Sequence, residues 1–512
     1  MSKADAGCGK VYLVGAGPGD PGLMTVRGAE CLAAADLVLY DGLVNPILLR
    51  MTGGRCERTA RIRRAAGAPV VAQPDINRRL IDEARQGHVV VRLKGGDPYI
   101  FGRGSEEAAA LQEAGIPYEV IPGITAATAA GEYAGFSYTH RDIASAVAFI
   151  TGHEDPTRDA SRLDYAAIAA FPGTLVFYMG LSRLPAICDR LISAGMSGDT
   201  PAAVICHASL PQQTVVSSTL KLLPEAAAAA QLTPPSLIVV GECVRQRTML
   251  NWFERLPLFG RTVGIVRPAH QIAEVEEMVI ALGGQPVALP LLRLQELNGD
   301  QITQIEGKLQ RLQEFDWVIF SSTNAVRAFH DQLWNAGFDL RKLGHCKIAA
   351  VGAATRTALE AIGLRVDIVP ERFSAEHLMD ALAPEIGGSS VLWVRGVHAR
   401  PTISDRLREL DVTFEELVVY NVDSASSVDP AEWVGIDARR LTELDWVTVG
   451  SPRAAEAFAA FCRSSGVVAE QAPRIAAISE LTAQALQDSG FPASAVAAEA
   501  SWTALLDSIA LG

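Results

Sequence analysis

The sequence predicts an α/β protein made of two consecutive modules. Three observations predict it. Short β-branched runs alternate with alanine-rich amphipathic stretches along the whole chain, the mark of strands covered by helices. This rhythm stops in NWFERLPLFGR, Asn251–Arg261, and restarts with a fresh first strand, TVGIVRP. The chain has 512 residues, 49% hydrophobic and 20% charged, enough to bury several separate cores.

The elements follow in order. Strands are expected at Val11–Val14, Leu37–Tyr40, Val89–Leu93, Leu175–Tyr178 and Leu237–Val240 in the first module. In the second they are expected at Val263–Val266, Trp317–Phe320, Lys347–Val351, Val391–Val394 and Trp446–Val449. Val26–Ala35 and Thr355–Ile362 read as amphipathic helices, and the alanine run Ala226–Ala230 as an exposed one. Within the second module two passages are loosely similar, FDWVIFSSTNAVRAF at Phe315–Phe329 and LDWVTVGSPRAAEAF at Leu444–Phe458. Each reads strand, Ser-containing turn, helix, and each leads to a further strand and helix. Two related α/β lobes are therefore expected there.

Composition excludes several classes of function. A net charge of −13 argues against general nucleic-acid binding, which needs a basic footprint. No apolar run reaches the roughly 20 residues that span a bilayer, and MSKADAGCGK lacks the apolar core of a secretory signal. No membrane contact is expected. The eight cysteines are scattered without a CxxC pair, so neither a metal site nor a disulfide framework is expected, and the setting reads as reduced and cytoplasmic.

The first motif is VGAGPGDPG, Val14–Gly22. A glycine-rich loop after a strand suggests a dinucleotide fold, and Asp41 sits at the end of the next strand, where a ribose-binding acid would stand. The prolines speak against that reading. A phosphate loop opens a helix whose N–H groups face the ligand. Pro18 and Pro21 carry no N–H, and Pro21 biases Asp20 away from the helical region. The helix should begin near Thr25. A loop poor in donors suits a cationic sulfonium better than a pyrophosphate. In RLKGGDPYIFGRG, Arg92–Gly104, Gly95 and Gly96 allow a close backbone approach and Asp97-Pro98 fixes the turn. PGITAATAA (Pro122–Ala130), THRD (Thr139–Asp142), TGH (Thr151–His153) and FYMG (Phe177–Gly180) follow.

Together with YDGLV (Tyr40–Val44), these strings resemble the tetrapyrrole methylases over roughly residues 10–255, and among them the uroporphyrinogen-III C-methyltransferases. The resemblance implies two α/β subdomains, S-adenosylmethionine as cofactor, and a homodimer formed through this half. It implies methylation of two pyrrole carbons of uroporphyrinogen III to give precorrin-2. Cofactor contacts implied are Pro18, Gly95, Gly96, Asp97, Ile100, Thr125, Ala126, Met179, Ala208 and Ser236. Asp41 matches the position of the base. The lysine that serves as acid in the family falls in RIRRAAGAP (Arg61–Pro69), where Arg63 or Arg64 replaces it. An arginine is a poor proton donor, so these two are read also as carboxylate binders. The substrate carries eight carboxylates. Arg55, Arg58, Arg61, Arg63 and Arg64 form the densest basic cluster, while Arg92, Arg103 and Arg141 lie inside motifs. Some relatives carry an NAD-dependent dehydrogenase module ahead of the methylase. Here few residues precede the first strand, so NAD is not expected.

From Thr262 the strings FSSTNAVRAF, AVGAATRTALEAIG, VVYNV, VGSPRAAEAF and AISELTAQALQDSG resemble the uroporphyrinogen-III synthases. That family has two lobes joined by crossing strands, which implies 261–293 with 423–512 as one lobe and 294–422 as the other. The implied reaction closes hydroxymethylbilane to uroporphyrinogen III with inversion of the last ring. Tyr420 matches the tyrosine considered for assisting loss of hydroxide. Ser322, Thr323, Asn324, Thr355, Ser451 and Thr482 are candidate partners for the substrate's carboxylates. AISELT departs from the usual turn and leaves the role of Thr482 open. A second possibility keeps the methyltransferase and makes the C-terminal half a non-catalytic ligand-binding module.

Overall fold

The computed structural model describes residues 8–59, 73–152, 163–295, 298–410, 412–424 and 438–511. The chain divides into two compact units, Met1–Val263 with Glu277–Pro286, and Gly264–Glu276 with Val287–Gly512. The seam is thus less clean than the linker suggests. Glu277–Pro286 packs on the linker itself: the Leu258 N–H donates to Leu282 at 2.9 Å and the Gln285 N–H to Arg261 at 2.8 Å.

The first unit holds two sheets. β1 (Val11–Gly15), β2 (Leu37–Asp41), β3 (Arg55–Thr59), β4 (Val90–Lys94) and β5 (Tyr118–Ile121) form a parallel sheet in the order β3-β2-β4-β1-β5. β4 is central and buried along its whole length, as a strand covered on both faces must be. Helices α1 (Val26–Ala33), α2 (Gln73–Arg85), α3 (Gly104–Glu113) and α4 (Ala126–Ala134) belong to this unit. α1 starts where the prolines require. Thr25 is its N-cap, with the side chain accepting from the Gly28 N–H at 3.1 Å.

β6 (Val147–Thr151), β7 (Thr174–Tyr178), β8 (Pro201–Cys206), β9 (Thr214–Thr219) and β10 (Ser236–Val240) form the second sheet, ordered β6-β7-β10-β8-β9. β6 and β7 run parallel and the remaining pairs antiparallel. The alanine run lies in the helix Leu223–Ala229, which buries only Leu223 and Ala227.

After β10 the chain forms two further sheets. β11 (Thr262–Val266), β12 (Gln285–Leu289), β18 (Trp446–Val449), β19 (Arg474–Ala477) and β20 (Ala495–Val496) are ordered β12-β11-β18-β19-β20. β13 (Leu292–Gln295), β14 (Trp317–Phe320), β15 (Lys347–Ala350), β16 (Ser390–Gly396) and β17 (Thr413–Ser424) are ordered β13-β17-β16-β14-β15. β13 and β17 pair antiparallel, so the chain enters and leaves this sheet through adjacent strands. The two similar passages form matching units. Ser322 caps the helix Thr323–Asn335 and Ser451 caps the helix Pro452–Ser464, with cap φ of −164° and −167°.

Among the described residues no helix is long and apolar enough to cross a membrane. Among the described residues no group of three His, Cys, Asp or Glu side chains is placed to hold a metal ion, and all eight cysteines are unpaired.

Candidate functional site

In the first unit the motifs meet through backbone. The Gly96 N–H donates to the Gly17 carbonyl at 2.8 Å and the Gly17 N–H returns to Gly96 at 3.3 Å, which pins the Pro18 loop to the Gly95–Asp97 turn. Gly123 lies in the same crossing. A Cβ there would stand 2.4 Å from the Gly96 carbonyl oxygen and 2.7 Å from the Gly15 Cα. Gly96 itself has φ +69°, and a Cβ on it would sit in ordinary contact with the Ala126 nitrogen at 3.6 Å, so its left-handed backbone rather than crowding calls for glycine.

The other predicted contacts converge on this crossing. The Asp97 carboxylate accepts from the N–H groups of Tyr99 (2.8 Å), Ile100 (3.2 Å) and Gly123 (3.1 Å). It therefore holds the Ile100 segment and the Thr125 loop together. The Thr125 hydroxyl shares a 2.7 Å hydrogen bond with the Tyr178 hydroxyl, which also accepts from the Ala127 N–H at 3.0 Å. The Tyr178 ring packs against Phe101, tilted by 50° with centroids 4.7 Å apart. Met179 follows it in the left-handed region, φ 56°, and is half exposed rather than packed in the core. Ser209, next to Ala208, accepts from the Asp20 N–H at 3.2 Å and ties that loop to the Pro18 loop. Ser236 pairs in register with Cys206, two residues before Ala208.

The same contacts explain why this is no phosphate loop. The N–H groups of Ala16, Gly17, Asp20 and Gly22 are all engaged within the protein, and Pro18 and Pro21 have none.

Asp41 stands at the end of β2, its side chain 19% exposed. It accepts from Arg92 and, at 3.1 Å, from the Thr59 hydroxyl. Burial pushes its pKa up, but Arg92, Lys94 and the two hydrogen bonds outweigh burial and hold it below the usual carboxylate value. It is ionised but a weaker base than an unpaired carboxylate. Arg92 is fully buried against Asp41 and Glu107, so it cannot reach a substrate carboxylate as its place in the motif suggests. Arg103 is exposed and forms a two-point pair with Glu106 at 2.7 and 2.6 Å. Arg141 is exposed. Arg61, Arg63, Arg64 and His153 lie outside the described residues.

In the second unit the structure brings Ser322 and Tyr420 together, hydroxyl to hydroxyl at 3.0 Å. The Tyr420 ring packs over Gly396, where a Cβ would come within 2.6 Å of it. Burial raises the Tyr420 phenol, against the Ser322 hydrogen bond, so it stays protonated and able to donate. Asn324, two residues on from Ser322, accepts from Gln271 and contacts His270 at 3.4 Å. Thr323 is half-buried at the start of the helix. Two of the expected carboxylate partners face inward. Thr355 is 6% exposed and Thr482 fully buried, the latter 3.1 Å from the Ser479 hydroxyl. Each is the third residue of its helix, a position that turns a threonine toward the core here. The half-buried hydroxyls at the turns are Ser451 and Ser479.

Sequence reasoning missed the charged cluster behind Asp41. Its trace was visible as Arg92-x-Lys94, two cations on one face of a buried strand, which require a buried anion.

The tetrapyrrole (corrin/porphyrin) methylases match residues 10–224, and the uroporphyrinogen-III synthase HemD family matches residues 273–507. The porphyrin biosynthesis protein HemD of Ruminiclostridium josui is 36% identical over 418 residues, 81% of this chain and 82% of that protein. The chain belongs to this fused family of tetrapyrrole methylase and uroporphyrinogen-III synthase. The uroporphyrinogen-III C-methyltransferase of Bacillus subtilis (strain 168) is 38% identical to this methylase–synthase over 361 residues, 70% of this chain and 73% of that protein. A crystal structure of uroporphyrin-III C-methyl transferase from Thermus thermophilus, complexed with S-adenyl homocysteine, is 36% identical. It covers 46% of this chain and 99% of its own, with a TM-score of 0.40.

Proposed function

We propose that this bifunctional uroporphyrinogen-III methyltransferase and synthase runs two consecutive reactions. Residues 261–512 close hydroxymethylbilane to uroporphyrinogen III, and residues 1–255 methylate two of its pyrrole carbons to give precorrin-2. The observation that carries the first-unit reading is the convergence of Gly96, Asp97, Thr125 and Met179 on one donor-poor crossing of loops.

S-adenosylmethionine fits this crossing. Ile100 and Met179 are exposed apolar side chains, the N–H groups of Ala16, Gly17, Asp20 and Gly22 are engaged internally, and Pro18 and Pro21 have none, which favours a cation over an anion. Pro18, Gly95, Gly96, Asp97, Ile100, Thr125, Ala126, Met179, Ala208 and Ser236 would hold it. Bound there, it supplies an electrophilic methyl group. The protein's own part is to hold the macrocycle within attacking distance and to receive the proton that the methylated ring releases. Asp41, ionised and partly exposed, is the acceptor. Arg103 and Arg141, with Arg63 and Arg64, bind peripheral carboxylates. In the second unit Tyr420, supported by Ser322, donates to the departing hydroxyl of hydroxymethylbilane, while Thr323 and the turn hydroxyls of Ser451 and Ser479 take carboxylates. The first unit also forms the homodimer contact, and the setting is cytoplasmic.

The test uses the full chain with hydroxymethylbilane and no S-adenosylmethionine. Formation of the III isomer supports the synthase reading. The spontaneous I isomer alone would make the second unit a non-catalytic ligand-binding module. Light scattering of the full chain checks the dimer.

A further inference from the structure

Behind Asp41 lies a cluster of charges that the reaction just described does not use. Arg92 and Lys94 stand two residues apart on β4, both fully buried. Glu107 of α3, also fully buried, takes both: Arg92 Nε lies 3.2 Å from its Oε1 and Lys94 Nζ 3.0 Å from its Oε2. Gln73 of α2 donates to the same Oε1 at 2.9 Å. Arg92 also donates to the Leu39 and Leu93 carbonyls, which locks its plane, and its remaining nitrogen reaches Asp41.

The charges can be added. Arg92 and Lys94 are positive and Glu107 negative, so the buried part carries one surplus positive charge. Asp41 balances it, and Asp41 is the one member that reaches the surface. An ion pair built only to fill the core would close with Arg92 and Glu107. Lys94 creates the surplus. Burial and the neighbouring Arg92 draw Lys94 below its usual range, against Glu107 and Asp41.

We propose that Lys94 is a positioning residue for methyl transfer, which with Glu107 fixes Arg92 against Asp41 and keeps one surplus positive charge behind that carboxylate. When Asp41 takes a proton from the methylated ring, the surplus is left uncompensated, and the proton is released before the next turnover. The inference rests on Asp41 as the proton acceptor. Among the described residues the groups facing Asp41 are Arg92 and Lys94 of β4 and Thr59 of β3, with Glu107 of α3 and Gln73 of α2 behind them, and the Arg58 guanidinium on the adjacent Gly42 carbonyl.

The experiment is the pH dependence of methyl transfer by the full chain at saturating uroporphyrinogen III and S-adenosylmethionine. Lys94→Met removes the surplus and should move the acid limb up by about one pH unit, the scale of one close charge. Lys94→Arg keeps the charge and should leave the limb in place. Glu107→Gln doubles the surplus and should move it down. The double variant K94M/E107Q has Arg92 alone, again one surplus charge, and its limb should return toward wild type. S-adenosylmethionine affinity by calorimetry verifies folding of each variant; where Lys94→Met does not fold, Glu107→Gln and the double variant decide. An unmoved limb, or a double variant no closer to wild type than either single one, overturns the proposal. Asp41→Asn separates the two readings. Full methyl transfer without Asp41 overturns both, whereas loss of activity there with an unmoved limb in the Lys94 and Glu107 variants overturns only this one.

Discussion

The candidate site of the first unit is built on backbone contacts and that of the second on hydroxyls. At the Gly15–Gly96–Gly123 crossing, main chains approach so closely that a side chain on Gly123 would collide with the Gly96 carbonyl. At the Ser322–Tyr420 pair, ordinary helix caps and a strand tyrosine are brought within hydrogen-bond reach. The difference teaches where each site is vulnerable. Backbone sites fail by steric substitution, and hydroxyl sites fail by loss of single atoms.

The largest effect should separate the two reactions. Asp41→Asn should lower methyl transfer by about 10²–10⁴-fold, the usual contribution of a general base, and leave cyclisation of hydroxymethylbilane unchanged; parallel assays with each substrate check this. A parallel fall in both rates would erase the contrast. Tyr420→Phe should do the reverse, lowering cyclisation roughly tenfold to a hundredfold, the value of one buried hydrogen bond, with methylation of supplied uroporphyrinogen III intact. The phenol has its own pH signature. Its pKa is raised on folding, so its contribution to stability is complete below about pH 10, the unfolded tyrosine value, and fades as pH rises through the folded value. Phenolate absorbance of wild type against Tyr420→Phe during alkaline titration measures it, and a normal titration would contradict the burial argument.

Steric vulnerability is the next contrast. Gly123→Ala should destabilise the first unit by about 1–3 kcal/mol through overpacking and weaken S-adenosylmethionine binding. Gly337→Ala, at φ +78° with nothing near its added carbon, should cost about 1 kcal/mol from backbone strain alone and change neither reaction. Thermal unfolding and calorimetry distinguish them. The smallest effect is expected at Ser451→Ala, which removes a helix cap worth about 1 kcal/mol and should raise KM for hydroxymethylbilane a few-fold with kcat preserved.

The same contrast explains what the sequence could tell. Prolines at Pro18 and Pro21 record backbone geometry directly, so the start of α1 near Thr25 was legible, while the convergence of the Gly15–Gly22, Gly95–Pro98 and Pro122–Gly123 loops was implied by the family resemblance of their motifs. Asp41 was legible as a residue but not as a partner of Arg92, because the arginine's place in a motif suggested a substrate contact while its burial inside the sheet decides otherwise. Lys94 and Glu107 were hidden because strand and helix neighbours 13 residues apart meet only in the packed structure. In the second unit Ser322, Ser451 and Ser479 all prove to be helix caps. Only the fold shows that one of them meets Tyr420, and that Thr355 and Thr482 face the core. The segment 277–286 joins the first unit through packing on the linker, which alternation of strands and helices does not encode.

The most direct test of consecutive reactions in one chain is incubation of the full-length protein with hydroxymethylbilane and S-adenosylmethionine. The account predicts a dimethylated product with the absorbance of precorrin-2 and two molecules of S-adenosylhomocysteine released per macrocycle. Accumulation of unmethylated uroporphyrinogen I, with no S-adenosylhomocysteine formed, would contradict it.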